Sequence, residues 1–371
     1  LENGCQEACE HKHKFTQQQC AVRLQGERPQ RTQTTTTATP TEVMSVLRSY
    51  NMKVVPTGLD YGTVTVILSH GPIEVTTLRE DVATDGRYAK VKFGKDFLKD
   101  ARRRDFTINA LSEDKEGKLY DYFSGVAHLN AKQLVFVGDP LARLQEDYLR
   151  ILRFFRFKSR FALSADHVAR EAIVKSRSGL LRLSQERITK EIEGLFASAG
   201  GLEHLQEMSD LGLWPYLFSY LPKELVQEKC FVDKVLHILK QLKKENITCC
   251  WSLFVATTCL VWQKRSASSL TNTRLDHIWT SLKLSKKEGH DISILVRHYQ
   301  KSVSFRDKQA ESLLFIDQCE KKRGVGFFAS VCFPLWKACA LVFETKETYR
   351  QLECLFMFEK NKGHLRRTVY R

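Results

Sequence analysis

The sequence lacks an apolar run long enough to cross a membrane, and it lacks the apolar N-terminal segment of a secreted protein. Its best candidate span, Val331 to Phe343, is shorter than the roughly 20 residues that a membrane-spanning helix requires, and it contains Lys337. We therefore expect a cytoplasmic protein with no membrane partner.

Cysteine pairs at zinc-binding spacing are also missing, because none of the 11 cysteines belongs to a Cys-x-x-Cys motif. In an intracellular chain, scattered cysteines are expected to be reduced thiols. Cys5, Cys9, His11 and His13 gather soft ligands in one polar segment, but that segment lacks the turn and core element on which structural zinc sites are built. The sequence predicts neither a disulfide framework nor a zinc module.

Positive charge is in excess, since 58 Lys and Arg residues stand against 43 Asp and Glu residues and give a net charge of +15. A basic surface attracts polyanions through its long-range field, and of the two polyanionic partners that this charge allows, nucleic acid is favoured over an anionic membrane surface. With 43% hydrophobic residues among 371, the chain is also able to bury a sizeable core.

The pattern of polar and apolar residues divides the chain into regions of different structure. Residues 1–34 are polar and without sustained periodicity, which predicts disorder. Residues 35–142 indicate a small mixed α/β unit, with a helix at Thr41–Tyr50. From residue 143 onward, helical periodicity continues with Lys- and Arg-rich opposite faces. The predicted strands are Val64–Leu68, Ile73–Leu78, Lys90–Phe93, Lys118–Tyr122 and Leu134–Val137; the predicted helices include Leu180–Phe196, Leu202–Leu211, Val232–Leu242 and Trp251–Gln263.

A charged stretch from Glu146 to Phe157 carries the strongest chemical signal. Its apolar residues predict an amphipathic helix, whose polar side carries Asp147, Arg150, Arg153 and Arg156 at every third position. One interpretation is a solvated helix in which Glu146 and Asp147 merely pair with Arg150. The other rests on hydrogen-bond polarity: an acceptor beside a donor complements the amino group and ring nitrogen that cytosine and adenine share, whereas uracil and guanine present the reverse order.

This stretch resembles the base-templating motif of class II tRNA nucleotidyltransferases, in which an Asp and an Arg select CTP and ATP without a nucleic-acid template. The resemblance implies that Asp147 and Arg150 contact the base and that Arg153 and Arg156 lie near the nucleotide. It also implies attack of the tRNA 3′-hydroxyl on the α-phosphate of CTP or ATP, with Mg²⁺ as the cofactor.

A second stretch, Arg103 to Ala110, resembles the Arg-Arg-Asp motif of the same family. Arg103 and Arg104 would grip a triphosphate through their forked donors, and Asp105 would hold one guanidinium group in place. The resemblance extends from about Thr35 to Trp214, with further matches at Ile73–Arg79, Thr84–Arg87 and Leu183–Ile188. The remaining residues agree only in being helical and basic, as a tRNA-binding region would be.

The metal-binding positions depart from the family pattern. The family places an Asp-x-Asp pair just before a segment like Thr36–Pro40, and counting back puts Arg31 and Gln33 at those positions. Neither can replace a carboxylate as a Mg²⁺ ligand, so no metal site is expected from them. Of the family's phosphate loop only Arg23 is kept, as a candidate nucleotide-binding residue. Glu74 is either a third acidic, catalytic residue or a solvent-facing strand residue.

Two hypotheses account for this departure. Either the chain has lost catalysis and only binds RNA or nucleotide, or its N-terminal residues are read in a shifted frame over an intact site. The genetic code permits the second hypothesis, because codons for residues 30–34, read two nucleotides later, can encode Lys-Asp-x-Asp. The nucleotide sequence around residues 24–34 distinguishes the two.

The expected fold is α+β, with a polymerase-β-like head containing a mixed sheet, followed by an all-helical neck, body and tail. The expected segments are 1–34, unmatched; 35–142, head; 143–215, neck with base recognition; and 216–371, body and tail that bind tRNA. The resemblance implies a CCA-adding tRNA nucleotidyltransferase that uses CTP and ATP and does not act on DNA. The alternatives are a non-catalytic tRNA-binding protein and a poly(A) polymerase, which excludes CTP.

Overall fold

A computed structural model of the chain describes residues 14–16, 21, 24, 26, 32–69, 71–85, 88–114, 116–218, 227–244, 249 and 251–266. The chain divides into two compact units, Leu1–Leu183 and Ser184–Arg371. Several residues named by the sequence predictions lie outside the described residues: Cys5, Cys9, His11, His13, Arg23 and Arg31.

The first unit is built on a seven-stranded sheet. Its strands are β1 (Lys14–Thr16), β2 (Thr32–Thr36), β3 (Lys53–Gly58), β4 (Thr63–Leu68), β5 (Gly71–Thr77), β8 (Ser112–Asp114) and β9 (Leu119–Tyr120). They follow the order β3-β4-β5-β2-β1-β8-β9, in which β2 and β5 are parallel and the other neighbours are antiparallel. A separate hairpin is formed by β6 (Arg79–Asp85) and β7 (Tyr88–Phe93).

Part of the N-terminal segment for which the sequence predicts disorder lies in this sheet. Strand β1 pairs with both β2 and β8, and β2 already begins at Thr32. A run of threonines is polar in composition, but threonine is β-branched and therefore suits a β-strand. In this strand Thr35 and Thr36 are buried. The prediction of disorder is therefore wrong at these two strands, whereas the boundaries of the four expected segments stay predictions.

Helix α1 (Pro40–Ser49) begins at a capping box. The hydroxyl of Thr39 accepts the N–H of Glu42, and the Glu42 carboxylate accepts the N–H of Thr39 at 2.7 Å. Its buried residues Val43 and Leu47 pack against residues of β4 and β5, which closes one face of the sheet. The helix predicted here is confirmed, with Thr39 as its cap.

Five more helices complete the first unit: α2 (Phe97–Arg102), α3 (Gly125–Asn130), α4 (Pro140–Glu146), α5 (Leu149–Arg160) and α6 (His167–Ser176). Short 3-10 helices span Leu59–Tyr61, Thr107–Asn109 and Arg177–Arg182.

A cluster of aromatic rings fixes α5 against the chain that follows α2. The ring of Phe106 lies 4.9 Å from that of Phe136 and 5.7 Å from that of Phe157, and Phe136 stacks on Phe154 at 5.8 Å. Phe106 and Phe136 form only an isolated bridge, so the strand predicted at Leu134–Val137 is not formed. Its apolar residues are buried because they join this cluster.

The described residues of the second unit form helices, as the sequence predicts for them, whereas the helices predicted beyond residue 266 lie outside the described residues. Its helices are α7 (Gln185–Phe196), α8 (Gly201–Asp210), α9 (Trp214–Leu217), α10 (Lys229–Lys244) and α11 (Trp251–Ser266). The single helix predicted at Leu180–Phe196 is divided, because Leu183 and Ser184 are extended. Among the described helices, none is long and apolar enough to span a bilayer.

Candidate functional site

Arg103 and Arg104 lie in the turn after α2, and both are anchored to Asp100. Nε and Nη2 of Arg103 donate to Oδ1 of Asp100 at 2.9 and 2.7 Å, and the same two atoms of Arg104 donate to Oδ2 at 3.1 and 2.5 Å. One carboxylate therefore holds two forked guanidinium groups. The sequence analysis missed Asp100, although an acid three and four residues before two arginines on a helix end is a usable signal.

Asp100 supplies the negative charge that this turn needs. It is 2% exposed, and burial by itself would raise its pKa, but the guanidinium groups of Arg104 and Arg103 outweigh burial and lower the pKa to about 2. The carboxylate is thus charged at neutral pH. The bonds to Asp100 use Nε and Nη2 of each arginine and do not engage Nη1.

Asp105, the third residue of the motif, holds an arginine of α5. Its Oδ2 accepts Nε of Arg153 at 2.6 Å, while its Oδ1 accepts the N–H of Phe106 and Nδ2 of Asn109, each at 2.9 Å. Burial raises the pKa of Asp105, but Arg153 and the bond from Asn109 outweigh it, so the pKa is lowered. Asp105 therefore stays charged and ties the turn to α5.

Asp147 lies just before the helix in which the sequence places it. Its backbone is extended, with φ −154° and ψ 105°, between α4 and α5. Its Oδ1 accepts the N–H of Leu149 at 3.1 Å, and its carbonyl accepts the N–H of Arg150 at 3.0 Å. The helical placement of Asp147 is wrong, because this aspartate satisfies an N–H that has no partner inside the first helical turn. Arg150 nevertheless lies in the turn that Asp147 caps.

Arg150 joins the predicted base-recognition stretch to the predicted triphosphate-binding turn. Its Nη1 donates to Oε2 of Glu146 at 2.7 Å and to the carbonyl of Arg143 at 2.9 Å, and its Nη2 donates to the carbonyl of Arg103 at 3.0 Å. The side chain is 12% exposed, so the guanidinium group is held in one orientation. Glu146 also pairs with Arg143, which makes Glu146 the carboxylate that positions both arginines.

The other predicted residues occupy separate places. Arg156 is half-buried in α5, with its guanidinium carbon 4.9 Å from the ring centre of Phe157. Glu74 is half-buried in the middle of β5, and position 33 of β2, a glutamine, is in register with it. The chain thus brings the candidate acidic residue level with one of the two family metal-ligand positions.

The described residues do not fit a pair of magnesium ions. Within the part of the chain that the structure describes, no group of three His, Cys, Asp or Glu side chains could hold a metal ion. Position 33, level with Glu74, carries a neutral amide, whereas Mg²⁺ is usually held through carboxylates. The described part of the chain accordingly supplies no metal centre.

Two family models match the chain. One, described as a poly A polymerase head domain, matches residues 22–135, and the other, described as a probable RNA and SrmB-binding site of polymerase A, matches residues 165–225. The first matched segment contains Arg103 and Arg104, and the second matched segment begins after α5.

Relatives with similar sequences include two mitochondrial CCA tRNA nucleotidyltransferases. The mouse protein (Mus musculus) is 42% identical over 198 residues, which cover 52% of this chain and 46% of the mouse protein. The human protein (Homo sapiens) is 39% identical over 235 residues, which cover 62% and 53%. A CCA-adding enzyme from Bacillus mycoides is 36% identical over 189 residues, which cover 50% and 46%. The chain spans about half the length of these relatives.

Solved structures share the architecture. The CCA-adding enzyme of Bacillus stearothermophilus in complex with CTP aligns with a TM-score of 0.64 at 20% identity, over 93% of this chain and 77% of that one. A CCA-adding enzyme in complex with ATP aligns with a TM-score of 0.62 at 18% identity, over 94% and 79%. Likeness at this level of identity concerns the fold, and it confirms the predicted α+β class.

Proposed function

We propose that the chain is a member of the family of CCA-adding enzymes and poly A polymerases, to which it is similar over residues 22–135 and 165–225, and that it adds C and A to the 3′ end of tRNA from CTP and ATP. One observation carries the proposal: Arg150, in the turn that Asp147 caps, is bonded to the carbonyl of Arg103. A single network therefore links residues suited to reading a base with residues suited to holding its phosphates.

Base selection is assigned to Asp147 and Arg150. A carboxylate accepts from the amino group of cytosine or adenine, and a guanidinium donates to the adjoining ring nitrogen. Uracil and guanine would set a carbonyl against the carboxylate and an N–H against the guanidinium. Because Arg150 is fixed by Glu146 and by two backbone carbonyls, its donors are already oriented before a nucleotide binds.

Triphosphate binding is assigned to Arg103 and Arg104, whose Nη1 groups are not engaged by Asp100. Planar guanidinium groups suit phosphate oxygens, and their anchoring lowers the entropy lost on binding. Arg153 and Arg156, further along α5, are proposed to lie near the nucleotide, and Arg23 is proposed as a further phosphate contact.

The transfer step is not assigned to the described residues, because they do not fit two Mg²⁺ ions. Mg²⁺ belongs to the proposal only under the hypothesis of a shifted reading frame, which would restore carboxylates at positions 31 and 33 beside the candidate catalytic Glu74. Without that restoration, a non-catalytic tRNA-binding protein is the favoured second candidate, and the glutamine level with Glu74 is the observation that favours it.

tRNA is the proposed acceptor, and its binding is assigned to residues 216–371. The net charge of +15 supports a polyanionic partner, and α10 buries an apolar stripe while it ends on the exposed Lys243 and Lys244. We further propose a cytoplasmic protein that does not act on DNA.

Binding and incorporation assays separate these functions. Isothermal titration calorimetry should give dissociation constants for CTP and ATP at least about tenfold below those for UTP and GTP, as one lost charge-assisted hydrogen bond predicts. Labelled CTP should then enter a tRNA that lacks its CCA end. Incorporation of ATP alone would instead indicate a poly(A) polymerase, and selective nucleotide and tRNA binding without incorporation would indicate the non-catalytic protein. Equal affinity for all four nucleotides would refute base selection altogether.

A further inference from the structure

Tyr148, which follows Asp147, has its ring directly against the backbone of Gly179. A Cβ atom built on Gly179 would lie 2.1 Å from Cδ1 and 2.2 Å from Cε1 of that ring. Carbon atoms in contact are normally about 3.5 Å or more apart, so any other residue at position 179 requires the ring to move by more than about 1 Å. Glycine is therefore needed at position 179 because the Tyr148 ring occupies the space of a Cβ atom, and not because of an unusual φ.

The same ring is held by a second residue. Gly179 is buried in the 3-10 helix Arg177–Arg182, and the guanidinium carbon of Arg182 lies 5.7 Å from the centre of the Tyr148 ring. A guanidinium within about 6 Å of an aromatic ring is attracted to it. Two residues of one short element thus hold the ring, and we name Tyr148, Gly179 and Arg182 the ring seat.

The ring seat lies next to the base-recognition residues. Asp147 is the extended residue that follows α4, and two of its contacts, with the N–H groups of Leu149 and Arg150, lie within the turn that leads into α5. The neighbouring ring connects the turn to a different element of the fold. Because Tyr148 and Asp147 are joined by one peptide bond, a ring displacement that moves the backbone of Tyr148 also moves Asp147.

We propose that Gly179, together with Arg182, is a positioning site that sets the orientation of Asp147 by seating the Tyr148 ring. This inference rests on the proposed base selection by Asp147. Neither residue of the 3-10 helix contacts the nucleotide; each acts through Tyr148. Recognition by two adjacent hydrogen bonds tolerates errors of only about 0.5 Å, so a displaced turn loses discrimination between bases before it loses affinity for the triphosphate.

The test measures the ratio of the dissociation constants for UTP and CTP in the full chain, which needs no catalysis. Gly179→Ala should lower this ratio at least about fivefold, whereas the matched change Gly94→Ala, whose added Cβ meets nothing closer than 3.6 Å, should leave it unchanged. Tyr148→Phe keeps the ring and should keep the ratio. Arg182→Ala, which adds no atoms, should lower the ratio by a smaller factor than Gly179→Ala. It tests the inference if Gly179→Ala does not fold.

A double variant distinguishes positioning from general destabilisation. Once Tyr148→Ala removes the ring, Gly179→Ala has nothing to displace, so the double variant should match Tyr148→Ala alone. The inference is overturned if Gly179→Ala and Arg182→Ala keep the wild-type ratio, or if the two losses simply multiply in the double variant. A wild-type chain that does not distinguish UTP from CTP would instead refute the proposed function, and the ring seat would have no base selection to serve.

Discussion

Replacing Asp100 by asparagine should both destabilise the first unit and weaken nucleotide binding. The pKa of Asp100 is lowered from 3.8 to about 2, because its charge compensates the guanidinium groups of Arg103 and Arg104. A shift of nearly two pKa units corresponds to about 2 to 3 kcal/mol of stability at neutral pH. Asparagine keeps the volume but loses the charge, so Asp100→Asn should cost about that amount in the free energy of unfolding.

The pH dependence has a definite sign. The pKa of Asp100 is lower in the folded chain than in the unfolded one, so its contribution is fully present above about pH 4 and is lost as the pH falls towards 2. The difference in unfolding free energy between wild type and Asp100→Asn should therefore be constant from pH 5 to 7 and fall to about half at pH 3. Urea unfolding at each pH, followed by circular dichroism, measures this difference.

A matched control on the same helix separates loss of a cap from loss of the arginine anchor. Asp96 caps α2 by accepting the N–H groups of Leu98 and Lys99 and makes no described contact with Arg103 or Arg104. Asp96→Ala should cost about 1 kcal/mol and leave nucleotide affinity unchanged. Asp100→Asn should weaken CTP, ATP, UTP and GTP by a similar factor of about ten, since it affects the phosphate contacts that all four share. Unfolding within about 0.5 kcal/mol of wild type, or unchanged CTP affinity, would refute the role given to Asp100.

Three further predictions concern other parts of the chain. Gly125→Ala should destabilise the fold by about 2 kcal/mol or more, since its Cβ would lie 2.4 Å from the carbonyl oxygen of Thr107, whereas Gly94→Ala should be nearly neutral; thermal unfolding of both measures this. The coding sequence for residues 24–34, read two nucleotides later, should contain Lys-Asp-x-Asp, and a gene without two acidic codons at that spacing would favour lost catalysis. The affinity for tRNA should fall with salt, with a log–log slope of about −3 or steeper, and a slope near zero would contradict binding through several phosphates.

The helical elements were the most predictable part of the fold. Periodic apolar residues predict α10, an apolar run predicts α11, and the helix predicted at Thr41–Tyr50 lies within one residue of α1 at each end, because these signals depend on neighbours in the sequence. The N-terminal strands β1 and β2 could not be predicted in this way. Their threonine-rich stretches acquire strand structure from pairing with β5 and β8, which lie far away in the sequence.

The types of residue in the candidate site were predictable, but their partners were not. The motifs name Arg103, Asp105 and Arg150; in the structure Arg150 donates to the carbonyl of Arg103, and Asp105 accepts from Arg153. Asp100 could have been chosen from its spacing, since it lies three and four residues before the two arginines, whereas Arg153 could not be identified as the partner of Asp105 because that pairing depends on how α5 packs on the turn through its aromatic cluster. The spacing of three residues between charged side chains predicts that Asp147 lies on the helix. An aspartate that precedes a helix can instead accept an N–H of the first turn, and Asp147 does so.

The most direct test of base selection is the nucleotide preference of Asp147→Ala. We predict that wild type binds CTP at least about tenfold more tightly than UTP, and that Asp147→Ala binds the two nearly equally. Its affinity for tRNA should be unchanged, because tRNA binding is proposed for residues 216–371. A variant that still prefers CTP, or that loses tRNA while keeping its nucleotide preference, would contradict the assignment of Asp147 and Arg150 as the base-reading pair.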